Sequence, residues 1–112
     1  MARGADVLAL AEQLHRSGAL LQAGHLYGEI LEEQPDNAPV WCRLGEVYHA
    51  LGQPDDAADC YRRALALRPE DAGAHHNLGA ALLALGRPHA AAACFETAAR
   101  PRPVRYPASG SR

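Results

Sequence analysis

The sequence predicts an all-α protein: three consecutive helix-turn-helix hairpins, six helices in a row, followed by a Pro- and Arg-rich flexible tail. Three observations predict it. One pattern recurs every 34 positions, in Gly18, Gly52 and Gly86, in Ala23, Ala57 and Ala91, in Tyr27, Tyr61 and Phe95, and in Pro35, Pro69 and Pro103. Between these markers, apolar residues recur at the i, i+3, i+4, i+7 spacing of one helix face. The marker glycines and prolines stand where helices must stop or turn. Such a period marks a repeat array, in which each unit buries its apolar face only against its neighbours.

The repeats run 4–37, 38–71 and 72–105, so 1–105 reads as one repeat domain and 106–112 as the tail. The first helix, 5–17, carries Val7, Leu10, Ala11 and Leu14 on its apolar face, and Gly18 ends it by taking a left-handed conformation. The second, 20–34, buries Ala23, Tyr27, Ile30 and Leu31 before Pro35 stops it. Asp36-Asn37 supplies a turn and an N-cap for the third, 38–51, which tolerates Pro39 because first-turn N–H groups have no intrahelical partner. After the turn 52–56, Asp55 and Asp56 sit at the positive end of the fourth helix and Arg68 at its negative end. The third repeat copies the plan, with Asp71 as cap, a helix to Leu85, a turn at 86–88 and a helix from His89. Gly45 and Gly79 are expected to face Ala57 and Ala91 and let paired helices approach closely. Pro101 stops the last helix near Arg100, about half a turn early. Its uncovered end, read as Ala81, Leu85, Ala92 and Ala99, is a surface on which copies of the chain could associate as homo-oligomers.

Bulk properties narrow the function. A length of 112 residues fits one domain. A net charge of -2 gives no electrostatic reason to expect nucleic acid or an acidic membrane as partner. No apolar run approaches a membrane span. Three cysteines, Cys42, Cys60 and Cys94, cannot all pair within one chain, and no secretory signal precedes them. The expectation is reduced thiols and a cytoplasmic location.

The second repeat carries Trp41, Leu44, Gly45, Tyr48, Ala57, Tyr61, Ala64 and Pro69, the spacing W-x-x-L-G-x-x-Y, A-x-x-x-Y, P. On these residues the chain resembles the tetratricopeptide repeat family over 4–105. The resemblance implies a right-handed α-solenoid and a protein or peptide ligand held in its concave groove. Repeat one departs from the pattern, with Val7, Ala11 and Ile30 for the tryptophan, glycine and alanine, as terminal repeats often do.

In the family the first helix of each repeat lines the groove. Mapped onto this chain, that wall includes Leu8, Glu12, His15 and Arg16, then Cys42, Arg43, Glu46 and His49, then His76, Asn77, Ala80 and Leu83. The peptide-binding set expected from it is Leu8, Glu12, His15, Arg43, Glu46, His49, His76 and Asn77. Arg43 and Asn77 share one repeat position and are expected to hold an extended backbone, while Glu12 and Glu46 disfavour acidic ligands. One class of relatives grips a terminal carboxylate with lysines, asparagines and an arginine. At the matching positions this chain has Leu8, Glu12, Arg43, Gly73 and Asn77, so that ligand is set aside. The asparagine ladder of protein O-GlcNAc transferases reads here as Ala9, Arg43, Asn77, one rung in three.

Sharper chemistry finds less support. Cys42, Glu46 and His49 recur along one helix with His76 on the next, but no C-x-x-C or H-E-x-x-H motif accompanies them, so no metal is expected. His75-His76-Asn77 lacks a nucleophile in a constrained turn, and His75 holds the tryptophan position as a packing residue. Cys60 and Cys94 share one position on the second helix and read as small packing residues. The expectation is therefore a non-enzymatic interaction scaffold without cofactor. The alternatives are the N-terminal repeat arm of a glycosyltransferase- or sulfotransferase-type enzyme that recruits its protein substrate, and a self-associating stack.

Overall fold

The computed structural model describes residues 3–101. Six helices occupy them: α1 Arg3–Ser17, α2 Leu20–Glu33, α3 Ala38–Ala50, α4 Pro54–Leu67, α5 Ala72–Ala84 and α6 Pro88–Ala99. Their ends fall within one or two residues of those expected, except that α4 starts three residues early: Pro54, Asp55 and Asp56, expected in the turn, form its first turn. The expected tail, 106–112, lies outside the described residues.

Each helix ends for a stated local reason. The helices α1, α3 and α5 stop at Gly18, Gly52 and Gly86, with φ of 90°, 78° and 76°. Only a residue without a Cβ takes such values cheaply. Around Gly52 the turn closes by Gly52 N–H donating to His49 C=O at 3.0 Å and Gln53 N–H to Tyr48 C=O at 2.9 Å. That pair of bonds is the Schellman stop, and it recurs at Gly18 and Gly86. Between hairpins the starts are capped: Asn37 Oδ1 accepts from Val40 N–H at 3.3 Å, and Asp71 Oδ1 from Ala74 N–H at 3.1 Å. Pro54 and Pro88 open α4 and α6, where a missing N–H costs nothing.

Each helix packs on its neighbours in sequence, and α3 also touches α5. The extents are 50 × 42 × 22 Å. The short dimension is two helix diameters, so the helices form two layers, α1, α3 and α5 in one and α2, α4 and α6 in the other. The result is an all-α solenoid rather than a closed bundle. Two apolar clusters hold it together. One joins Ala11, Ala23, Tyr27, Ile30, Leu31, Val40, Leu44 and Val47, and the other joins Ala57, Tyr61, Leu78, Ala81, Leu82 and Ala91. Tyr48 packs against both.

The structure corrects three expectations. Gly45 and Gly79 face aromatic rings rather than alanines: a Cβ on Gly45 would lie 2.5 Å from Tyr61 Cε1, and one on Gly79 2.7 Å from Phe95 Cε1. The ring, not the small residue, fills the space that the glycine leaves. Leu10 is 48% exposed, because Leu8, Val7 and Leu14 take the packing against the first cluster. Ala81 is fully buried beneath Leu82 and Ala91 and is no part of an uncovered end, whereas Ala92 and Ala99 are exposed.

His75 does the work of the tryptophan it replaces. Trp41 Nε1–H donates to Pro35 C=O at 2.9 Å, and His75 Nε2–H donates to Pro69 C=O at 2.8 Å. Donors and acceptors sit one repeat apart, so both tie a helix start to the preceding turn.

Urea denaturation of three sets of variants checks this packing. Gly45→Ala gains about 1 kcal/mol of helix propensity but overpacks the rigid Tyr61 ring at about 1–3 kcal/mol, so urea denaturation should show net destabilisation. Gly28→Ala, where an added Cβ meets nothing within 4 Å, should stabilise by about 0.5–1 kcal/mol. His75→Phe should cost about 0.5–1 kcal/mol for the lost hydrogen bond, and His75→Trp should restore it.

Candidate functional site

Among the described residues, the wall formed by α1, α3 and α5 carries two open cavities, each spanning neighbouring hairpins. The first, about 320 Å³, is lined by Glu12, His15 and Arg16 of α1, Tyr27 of α2, and Arg43 and Glu46 of α3. The second, about 310 Å³, is lined by Pro39, Cys42, Arg43 and Glu46 of α3, Arg68 and Asp71 of the turn, and Gly73, Ala74 and Asn77 of α5. Spacing explains the assembly. Residues three and four apart share a helix face, so Glu12 and Arg16, or Arg43 and Glu46, present their heads together.

Of the eight residues expected to bind, the structure gathers Glu12, His15, Arg43 and Glu46 around the first cavity and Arg43, Glu46 and Asn77 around the second. Arg43 and Asn77 do share one cavity. Leu8, His49 and His76 line neither. Leu8 is half-buried against the first apolar cluster, His49 is exposed, and His76 packs its ring against Phe95 at 5.3 Å. Four lining residues lie outside the wall positions mapped from the sequence: Tyr27, Arg68, Asp71 and Ala74. Tyr27 carried a signal. A tyrosine at a fully buried position needs a polar outlet for its hydroxyl, and the outlet is the groove.

The polar contacts are few and specific. The Tyr27 hydroxyl and His15 Nδ1 share a hydrogen bond of 3.2 Å, with the rings edge to face. Arg43 Nη1 donates to Glu46 Oε2 at 3.3 Å and to Oε1 at 3.5 Å. Asp71 is occupied as the cap of α5. Burial pushes the Tyr27 hydroxyl above its usual range, with Glu12 and Glu46 adding to the rise and Arg43 and Arg16 opposing it. Cys42 is pushed up to about 11, first by burial and then by Asp71 and Glu46. Cys60 is pushed up to about 12, again first by burial. Both thiols are protonated at neutral pH and poor nucleophiles. Among the described residues no group of three His, Cys, Asp or Glu side chains could hold a metal ion, and no helix is long and apolar enough to cross a membrane.

The wall changes character along its length. The position held by His15 and His49 is Leu83 in the third hairpin, 52% exposed. A separate apolar cleft of about 230 Å³ lies between α2 and α3, lined by Leu20, Leu21, Gly24, Leu44, Val47 and others. In the second hairpin the residue equivalent to Gly24 is Ala58, which is buried.

Comparison with known proteins agrees with this architecture. Three family models match, two described as "Tetratricopeptide repeat" over 14–62 and 72–103 and one as "TPR repeat" over 45–86. No curated protein sequence matches the chain. Among solved structures, a point mutant of MamA aligns with a TM-score of 0.81 at 26% identity, over 88% of this chain and 72% of that one. Another MamA crystal structure aligns at 0.81 and 20% identity, over 85% of this chain and 56% of that one. The second TPR of Spaghetti (RPAP3), solved bound to the HSP90 peptide SRMEEVD, aligns at 0.82 and 18% identity, over 87% of this chain and 90% of that one. The chain thus spans between 56% and 72% of the length of these two MamA chains.

The raised hydroxyls and thiols of Tyr27, Cys42, Tyr48, Cys60 and Tyr61 act in one direction. A folded pKa above the unfolded one gives stability that is full below the unfolded value and is lost as pH rises through the folded one. The urea midpoint should therefore fall as pH climbs from about 9 to 12 through these groups. At neutral pH the rise of Cys42 from 9.0 to about 11 should slow its alkylation about 100-fold relative to the unfolded chain, read by mass spectrometry.

Proposed function

The chain belongs to the tetratricopeptide repeat family, and we propose that it is a non-catalytic interaction module that holds an extended segment of a partner protein along the α1–α3–α5 wall. The observation that carries this reading is the second cavity. Arg43 and Asn77, one repeat apart, open into the same solvent-accessible space. A guanidinium and a carboxamide on one wall can donate to carbonyls on the same edge of an extended chain. Glu12, His15 and Glu46 extend the polar surface into the first cavity. The RPAP3 neighbour, solved with a peptide, supports the use of this fold for peptide capture. Its ligand does not transfer, because Leu8, Glu12, Arg43, Gly73 and Asn77 stand where carboxylate-gripping relatives carry a different set. The open cavities suit a bound segment better than they suit a reaction, which needs a water-excluded pocket. A cytoplasmic setting is part of the same proposal.

Selection from a random peptide library, followed by amide chemical-shift mapping, tests it. Selected peptides should perturb amides of α1, α3 and α5 and spare the outward faces of α2, α4 and α6. The double variant Arg43→Ala/Asn77→Ala should weaken the selected peptide about 100-fold, two lost contacts of about 1.5 kcal/mol each, with melting unchanged. Perturbations confined to the outer layer, or undiminished binding by the double variant, would remove the groove from the function.

A further inference from the structure

The polar set that the first hairpin gives to its cavity has an apolar counterpart in the third. The first hairpin contributes Glu12, His15, Arg16 and Tyr27 to the first cavity. Two periods of 34 residues on, the same four positions hold Ala80, Leu83, Ala84 and Phe95. The second hairpin is intermediate, with Glu46, His49, Ala50 and Tyr61. The exchange removes a hydrogen-bonded pair as a unit: His15 Nδ1 and the Tyr27 hydroxyl lie 3.2 Å apart, and Leu83 and Phe95 stand in their places. Packing within the described residues does not account for the new set. Leu83 keeps 52% of its surface in solvent, Ala84 is exposed, and Ala80 and Phe95 are half-buried. Among the described residues the exposed large apolar side chains are Leu10, Leu21, Leu67 and Leu83, and of these Leu83 alone stands at a wall position.

We propose that Ala80, Leu83, Ala84 and Phe95 form a niche for one apolar side chain, Leu, Ile, Met or Phe, of the partner segment held along the wall. This rests on reading the groove as the peptide site and names a residue class that the segment carries. Ala80 lies one turn beyond Asn77 on the same face of α5, so the niche continues the surface of the second cavity, which Asn77 lines. That continuity assigns the niche to the bound segment rather than to a second copy of the chain. Asn77 and Leu83 are six positions apart, about 9 Å along the helix, a span of about three residues of extended chain. The apolar side chain therefore stands about three residues from the carbonyl that Asn77 holds. None of the four niche residues carries a polar head, and the ring of His76, one turn before Ala80, is packed against Phe95 at 5.3 Å. A Lys or Glu side chain placed there loses hydration and gains no partner from the four. A leucine removes apolar surface from water on both sides of the contact.

The test uses short serine–asparagine peptides with Leu, Ser, Lys or Glu at the central position. They are titrated into the full chain and read by amide chemical shifts, which register weak binding. The Leu peptide should bind about tenfold more tightly than the other three and shift the amides of Leu83, Ala84 and Phe95. The double variant Leu83→His/Phe95→Tyr gives the third hairpin the residues that the first carries at both positions, so the fold has a precedent for it in the same chain. It should erase the preference for Leu and leave the Ser peptide unchanged, whereas Leu83→Met should keep the preference. Equal binding of the Leu and Ser peptides, a preference that survives the double variant, shifts centred on the apolar cleft at Leu20 and Leu21, or no binding by any of the four would each overturn the proposal. So would Leu83 and Phe95 amides that move with chain concentration before peptide is added, which assigns the niche to a second copy. Tighter Leu-peptide binding by Val104→Ser/Tyr106→Ser would assign it to the chain's own C-terminal residues and overturn it too. The random-library selection decides the groove reading separately, since the wall can hold selected peptides whether or not they carry an apolar residue.

Discussion

The solenoid depends on an aromatic ring laid on bare backbone. Tyr61 rests on Gly45 and Phe95 on Gly79, each so closely that a single added carbon would meet the ring inside contact distance. This contact fixes how near the two helices of a hairpin lie, and with it the burial of Ala57 and Ala91 in the same interface. Once that separation is set, neighbouring hairpins have one way to stack, because Leu78, Ala81 and Leu82 of α5 must meet the α4 face made by Ala57, Ala58 and Tyr61. In the first hairpin Ala11 holds the glycine's place, and Ala11 and Tyr27 are both fully buried.

The same rings govern the polarity of the wall. A tyrosine in this seat carries a hydroxyl to the ring's far end, and Tyr27 delivers it to His15 and the first cavity. Phe95 delivers none, and the wall opposite it is built from His76, Asn77, Ala80 and the exposed Leu83. The groove is therefore charged across its first two hairpins and more apolar in its third.

Most of the fold was legible because it is written in residues whose physics is local. Gly18, Gly52 and Gly86 take positive φ and Asn37 and Asp71 cap helices, as their local chemistry dictates, whereas Pro54 and Pro88, read as turn residues, open α4 and α6 instead. The apolar spacing gave Ala23, Tyr27, Ile30 and Leu31 as the buried face of α2, and all four are buried. What sequence could not supply was the partner across an interface. Gly45 reads as "small residue needed", and nothing in the spacing says whether an alanine or a ring fills the gap. Leu10 and Leu8 are both apolar and two positions apart, and only the angle of α1 on its neighbours puts Leu8 inward. The site was half legible for the same reason. Positions on the first helix of each repeat found Glu12, His15, Arg43, Glu46 and Asn77, but Tyr27, Arg68 and Asp71 reach the groove from another layer and a turn. Their membership follows from packing rather than from any one helix's period.

The placement of the Arg43–Glu46 pair separates stability from recognition. Its two side chains are 49% and 33% exposed, and exposed pairs three residues apart contribute about 0–1 kcal/mol, so the fold does not need it. The seats beneath it are different in kind. Tyr27, Val40, Val47 and Tyr61 are buried and define the wall whether or not the pair forms. A rigid wall carrying loosely held charges can exchange its partners without moving its helices. In this chain the packing residues and the groove-lining residues occupy different faces of the same helices, which lets the wall's chemistry vary from hairpin to hairpin while the 34-residue frame beneath it stays constant.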